Sequence, residues 1–287
     1  MRFKKPISVS VIIVNYKSQE YLERLIFNFV KDLIKLNKEI EIIVFDNSFQ
    51  LKSLELKKII HSAGHGIPFR FLKSKKNIGF GRACNIASRK SQGKYLFFIN
   101  PDCLVKPDQI KKLLKAFKFN PKIGIIAPYL INPKGKIQRY GFAQNQDIWD
   151  KLFAKDRNKA EKAEFKLNNK NLKKVKWVSG ACFLIPRKIF FLVKGFDENF
   201  FLYFEDRDLS KKVRNKGYKT VIFKKVKIIH YESKSKISWS KRKKHYYQSQ
   251  DYFFLKHYGK IALWIMKFLR LPIYIKNVYL SKFKIKT

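Results

Sequence analysis

Three carboxylates, Glu205, Asp206 and Asp208, fall within four residues of the run Phe201-Leu-Tyr-Phe-Glu-Asp-Arg-Asp-Leu-Ser210, in a chain holding 64 Lys and Arg but only 21 Asp and Glu. At the start of a helix, the dipole favours negative charge. An aromatic run ahead of them can shield one carboxylate from water and make it a general base. The plainer alternative, a charged first turn paired with lysines, fits less well because acids are so scarce elsewhere. A second candidate closes Phe97-Phe-Ile-Asn-Pro-Asp102. Residues two apart in extended backbone point the same way. Asn100 and Asp102 can therefore address one hard cation that takes its remaining ligands from water and a diphosphate. As an Asn-Pro-Asp sequence it is also an ordinary turn. The third, Asn77-Ile-Gly79-Phe-Gly-Arg82, sets glycines ahead of a helix, where backbone N–H groups approach an anion and Arg82 adds a forked donor. Its spacing is neither GxGxxG nor GxxxxGK[ST]. His230, at the end of an extended run, is placed for metal or phosphate contact, although a lone histidine is more often structural.

These groups need a scaffold, and the apolar pattern supplies one. Val9–Val14 is a continuous β-branched run, the mark of a strand buried on both faces. Tyr21, Leu22, Leu25, Ile26, Phe29, Leu33 and Leu36 follow at helical spacing. Glu41–Phe45, Phe69–Leu72 and Tyr95–Ile99 read as further strands. Gly79–Arg89 and a stretch opened by Pro107 read as helices. Such alternation predicts an α/β fold with a mainly parallel central sheet, flanked by helices on right-handed crossovers. Ligands then bind beyond the carboxyl ends of the strands, where Asn15-Tyr16, Asp46-Asn47, Lys73–Asn77 and Asn100–Asp102 fall. Downstream, Tyr140–Lys176 reads as a polar, lysine-rich excursion. Trp177–Ile185 is strand-like, Leu209 and Val213 mark a helix stopped at Gly217, and Thr220–Ile229 is extended.

Composition narrows the class. With 287 residues, 46% of them hydrophobic, the chain can bury a full core, which excludes wholesale disorder. Three cysteines without a close pair exclude a disulfide framework and a zinc ribbon, and suit a reducing compartment. The net charge of +43 is partly the Lys-, Ile- and Asn-rich composition of AT-rich coding, yet it still attracts polyanions. The apolar run near the N-terminus is too short and too serine-broken for a secretory signal, and no stretch is long enough to span a membrane.

Six segments in order carry a resemblance: Val9-Ser-Val-Ile-Ile-Val-Asn-Tyr16, Val44-Phe-Asp-Asn-Ser48, Asn77-Ile-Gly-Phe-Gly-Arg-Ala-Cys-Asn85, Asn100-Pro-Asp102, Val178-Ser-Gly-Ala181 and Gly195–Leu209. Over residues 7 to 235 the chain resembles family 2 glycosyltransferases, most of all their rhamnosyltransferase-like branch. The resemblance implies an A-type glycosyltransferase fold and an inverting transfer from a nucleotide-diphosphate sugar, such as dTDP-rhamnose or a UDP-sugar, in cell-surface polysaccharide synthesis. It implies that Asp46 accepts the base N3–H, with Asn15 and Tyr16 lining the base pocket. Asn77, Gly79, Arg82 and Asn100 would lie along the nucleotide and diphosphate. Asp102 would hold Mg²⁺ or Mn²⁺, with His230 at a metal-associated position. Asp206 would be the base, with Glu205 the alternative. Asn-Pro-Asp replaces the family's Asp-x-Asp and so costs one carboxylate.

Residues 239–287 are basic and aromatic, from Lys241-Arg-Lys-Lys244 through the interrupted apolar run Ile261–Ile275. We expect a catalytic domain over 1–238 and a tail of helices that either lies in an anionic lipid interface or packs on that domain. The expected enzyme is cytoplasmic and peripheral on the inner face of the membrane, acting on a lipid-linked or glycan acceptor. Two competing readings are a basic nucleic-acid-binding protein and an inactive homologue serving as a scaffold. No nucleic-acid-binding signature is visible, so no nucleic acid partner is expected.

Overall fold

The structure is a computed structural model and describes residues 7–33, 40–49, 56, 58–59, 67–138, 141–143, 170–232 and 238–283. Leu36 and most of the Tyr140–Lys176 excursion lie outside the described residues. In chain order the elements are β1 (Val9–Asn15), α1 (Gln19–Leu33), β2 (Ile40–Asp46), β3 (Phe69–Lys73), α2 (Phe80–Arg89), β4 (Tyr95–Ile99), β5 (Cys103–Leu104) and α3 (Pro107–Ala116). They continue with β6 (Ile123–Ile131), β7 (Phe142–Ala143), β8 (Leu172–Val175), β9 (Trp177–Val178), β10 (Cys182–Pro186), α4 (Arg187–Leu192), α5 (Glu205–Asn215), β11 (Lys219–His230) and α6 (Trp239–Phe283).

Every residue of β1 and β2 is buried, as their continuous apolar runs require when both faces are covered. The central sheet has the order β3-β2-β1-β4-β10-β6-β11-β5, with β8 on β11. The alternation did predict the parallel part: β3, β2, β1 and β4 pair in parallel, as do β6 and β11. The sheet is mixed because β10 runs antiparallel between β4 and β6, and β5 and β8 run antiparallel to β11. Reversal of β10 has a consequence for function. It brings the start of that strand, not its end, beside the carboxyl end of β4, where Cys182 pairs with Ile99. Asn100 N–H then donates to the Ala181 carbonyl at 2.8 Å, so residues 179–181 join the row of strand ends.

On one face Ala83, Cys84 and Ala87 of α2 pack on Phe98, Phe183 and Phe196, with the Phe98 and Phe183 rings stacked 4.9 Å apart. Small side chains let α2 sit close to the sheet, and Asn85 locks it there. Its amide accepts from Phe196 N–H and donates to the Phe196 carbonyl, both at 2.9 Å. Gly79 precedes α2 with φ of 88°, and an added Cβ would lie 2.7 Å from the Phe201 carbonyl oxygen. Only glycine permits both that backbone and that approach. It allows Phe80 N–H to donate to the Phe201 carbonyl at 3.1 Å, fastening α2 to the segment ahead of α5.

Helix α6 breaks at Gly259, where φ is 84° and ψ −178°. Arg270 forms a forked ion pair with Asp251, at 2.7 and 3.2 Å, so the two segments double back on one another. The first segment is part of the fold. Phe253 and Phe254 are buried against Phe200 and Phe204, and Ser249 Oγ donates to the Leu202 carbonyl at 2.8 Å. Lys256 bridges Asp197 and Asp208, and His257 Nε2 lies 2.8 Å from Asp208. The second segment exposes Ile261, Trp264, Ile265, Phe268, Leu269 and Leu271. Among the described residues, no helix is long and apolar enough to cross a membrane.

Candidate active site

A cleft of about 560 Å³ opens over the carboxyl ends of the parallel strands. Its wall includes Tyr16, Asn77, Gly79, Asn100, Asp102, Glu205, Asp206 and His230, eight of the residues singled out in the sequence. Asn15 and Asp46 are absent from its lining. They sit side by side at the ends of β1 and β2, buried, with Asn15 Nδ2 3.3 Å from Asp46 Oδ1. Asp46 Oδ1 also accepts from Ser48 N–H at 3.0 Å. Arg82 does not line the cleft either: its exposed guanidinium pairs with Glu198 at 3.2 Å.

At one end, Asp102 Oδ1 and His230 Nε2 are 3.3 Å apart, joined by the pairing of β5 with the end of β11. Gln138 fixes the ring. Its Nε2 donates to the His230 carbonyl at 2.7 Å, which leaves Oε1 to accept from Nδ1 at 2.9 Å. With the Nδ1 proton so committed, the Nε2 lone pair faces the Asp102 carboxylate. Two acceptors this close need a proton or a cation between them. One carboxylate oxygen and one imidazole nitrogen, facing a cleft open to further oxygen ligands, fit a divalent ion such as Mn²⁺ or Mg²⁺. Cys103 lies in the same cluster. Burial raises its thiol well above the ordinary value, and Sγ lies 3.5 Å from the Ala181 carbonyl, so it stays protonated.

Helix α5 also delivers its first turn into the cleft. Tyr203 and Phe204 both hold left-handed backbones, with φ of 71° and 68°. Such strain in bulky residues persists only where the surroundings impose it. Here Phe204 is clamped by Tyr246 and Phe253 of α6. Asp206 Oδ2 accepts from Gly180 N–H at 2.9 Å and Oδ1 from Arg207 N–H at 2.7 Å. Burial raises the Asp206 carboxyl above its ordinary value, against the pull of Arg207 and these N–H groups. Glu205 is more deeply enclosed, and burial followed by the charge of Asp206 pushes it well up. Its Oε2 has no hydrogen-bond partner. Burial thus disfavours the charged form more strongly at Glu205 than at Asp206.

Sequence reasoning missed several contributors. Asn47 Nδ2 donates to Asn77 Oδ1 at 2.8 Å and its Oδ1 accepts from Ile78 N–H at 2.9 Å, bracing the loop before Gly79. Its place after Asp46 at a strand end was the available signal. Gln138 carried none, since it acts through a partner some 92 residues away; Gly180 lay in the segment Val178-Ser-Gly-Ala181, but its partner Asp206 is 26 residues away. Arg207, Arg242, Tyr246 and Glu232 also line the cleft. Part of the tail, expected either to lie in lipid or to pack on the catalytic domain, is thus wall of the site.

The sequence profile described as Glycosyl transferase family 2 matches residues 10–191. An N-acetylglucosaminyl-diphospho-decaprenol L-rhamnosyltransferase of Mycobacterium tuberculosis is 26% identical over 195 residues, 58% of this chain and 60% of that one. This chain thus spans less than two thirds of that relative. The rhamnosyltransferase WbbL of Escherichia coli K12 is 27% identical over 234 residues, 78% of this chain and 83% of that protein. Among solved structures, the mannosyltransferase PcManGT of Pyrobaculum calidifontis, in complex with GDP-Man and Mn²⁺, superposes with a TM-score of 0.62. It shares 15% identity, over 94% of this chain and 73% of that one, a likeness of fold. The profile covers well over half of the chain and runs from the first buried strand through α4, and on that ground the chain belongs to glycosyl transferase family 2.

Proposed function

We propose that this chain transfers a sugar, with inversion, from a nucleotide-diphosphate donor such as dTDP-rhamnose or a UDP-sugar to a hydroxyl of a lipid-linked or polysaccharide acceptor. The observation that carries this reading is the pairing, in one cleft, of a buried basic carboxylate at Asp206 with the facing donors Asp102 and His230. Rhamnosyltransferase relatives, one of them named for a diphospho-decaprenol acceptor, favour rhamnose and a saccharide linked through diphosphate to lipid.

The chemistry follows from charge. As the bond between the anomeric carbon and the diphosphate oxygen breaks, negative charge gathers on the leaving group. A divalent cation held by Asp102 and His230, with Asn100 beside them, would neutralise that charge as a Lewis acid. Asp206 removes the proton of the acceptor hydroxyl as that oxygen attacks the anomeric carbon from the opposite face. Burial and the neighbouring Asp206 disfavour charge on Glu205, so a single base serves a single displacement with inversion. Gly180 N–H and Arg207 N–H hold the Asp206 carboxylate in place. Tyr16 in the wall supports a base site at this end, with Asn15 and Asp46 buried behind it, outside the lining.

The exposed apolar side chains after Gly259, with exposed Lys260 beside them, support a peripheral seat on an anionic membrane, the cytoplasmic inner face. The cleft lends no support to the scaffold or nucleic-acid alternatives. A thermal-shift screen of UDP-, dTDP- and GDP-sugars with and without Mn²⁺ tests the reading. One donor should raise the melting temperature, more so with metal, because ligand binds the folded state alone. No stabilisation by any donor would refute it.

A further inference from the structure

Two arginines, Arg207 and Arg242, line the cleft. Arg207 lies between two aromatic faces, its Cζ 4.4 Å from the ring centroids of both Trp177 and Phe204. A guanidinium held this way is oriented before any ligand arrives, with little side-chain freedom left to lose. Arg242 reaches the same cleft from α6, near enough to Tyr203 that its charge partly offsets the effect of burial on that phenol. Lys241, Lys243 and Lys244 neighbour it on the same helix. The two arginines and the cation donors reach the cleft from different elements. Asp102 and His230 come from β5's approach and β11, whereas Arg207 adjoins the base and Arg242 comes from the tail.

We propose that Arg207 and Arg242 form an anion subsite that grips the diphosphate of the acceptor, a saccharide joined through diphosphate to a lipid. This rests on the glycosyltransferase reading and adds to it the acceptor's recognition element. The donor's diphosphate is matched by a cation at Asp102 and His230. An acceptor must put a hydroxyl on Asp206, so its own diphosphate enters a cleft whose wall carries Arg207, the next residue, and Arg242. Forked guanidinium donors suit phosphate oxygens and need no metal. The same α6 carries the exposed apolar face beyond Gly259, so a lipid chain leaving the cleft has a surface to follow.

The test titrates the full chain with farnesyl diphosphate as probe, followed by calorimetry, in EDTA and again in Mn²⁺ with saturating UDP, dTDP or GDP. Binding is expected in EDTA, unaffected by the nucleotide, and weakened by about tenfold or more in Arg242→Ala and in Arg207→Lys, the loss of a charge-assisted hydrogen bond. Arg242→Lys should recover part of the loss. Melting curves of each variant confirm folding, and half-exposed Arg242 is replaceable without opening the core. Displacement by nucleotide would assign the arginines to the donor and overturn the proposal. So would farnesol binding as tightly as its diphosphate, affinity that both variants retain, or no binding at all. Failure of the glycosyltransferase reading looks different: no nucleoside diphosphate binds the unaltered chain, whatever the probe does.

Discussion

Replacing Lys256 by Ala tests whether the first segment of α6 is stitched to the acidic helix. Lys256 Nζ lies 2.6 Å from Asp197 Oδ2 and 2.7 Å from Asp208 Oδ1. Asp208 is fully buried; burial alone would raise its carboxyl, but hydrogen bonds from His257 and Lys256 outweigh that and hold it below the ordinary value. Asp197 is likewise lowered to about 2, its burial outweighed chiefly by Lys256. Removing one partner of a buried pair costs roughly 3–5 kcal/mol. His257 and Lys212 remain, at 2.8 and 3.4 Å, so part of the Asp208 charge stays compensated. Asp197 is only partly buried, so its share is discounted for solvent screening. The expected loss is about 2–3 kcal/mol at pH 7, a fall in melting temperature on the order of 5 °C. Both carboxylates are depressed, so their contribution is present above the unfolded value of 3.8 and disappears as pH falls through the folded values, near 2 for Asp197. The gap between the two proteins should persist from pH 5 to 8 and close toward about pH 2 to 3. Guanidinium titrations followed by circular dichroism at pH 7, 5 and 3 measure it. A loss below about 0.5 kcal/mol, or a gap that widens in acid, would refute the stitching argument.

Asp102→Ala should weaken donor affinity by about tenfold or more in Mn²⁺ and leave metal-free affinity unchanged, read by calorimetry in the two buffers. Since burial raises Asp206 and the base must be ionised, the acid limb of kcat/KM against pH should turn above the ordinary 3.8. A limb at or below that value would contradict the buried-base assignment. Glutamates at Trp264 and Phe268, both exposed after Gly259, should release the chain from anionic vesicles in co-sedimentation. High salt alone should only loosen it, each nearby basic residue contributing roughly 1 kcal/mol.

Elements whose burial is dictated locally were legible in the sequence. Val9–Asn15 and Tyr95–Ile99 announce themselves because a strand covered on both faces must be apolar throughout. The positions of Asp102, Asp206 and His230 were equally visible, as scarce polar groups where strands end or a helix begins. Direction was not. Cys182–Pro186 reads the same whether it pairs parallel or antiparallel, and only the tertiary route reverses it. The strand Ile123–Ile131, with Gly124 and Pro128 inside it, went unmarked. Its pairing with β11 is set by partners some 96 residues away. The tail was half legible for the same reason. Its composition suits a lipid interface, yet the face carrying Phe253, Lys256 and His257 is chosen by Phe200, Asp197 and Asp208, distant in sequence. Arg242 and Tyr246 reach the cleft through that docking.

The most direct test of the central claim is product stereochemistry with the base intact and removed. Proton NMR should follow the full chain with its stabilising nucleotide sugar, Mn²⁺ and a lipid-diphosphate saccharide. The account predicts release of the nucleoside diphosphate, a product of inverted anomeric configuration, and a fall in kcat of about 10²-fold or more in Asp206→Asn with donor affinity nearly intact. Retained configuration, or near-normal turnover in Asp206→Asn, would contradict it.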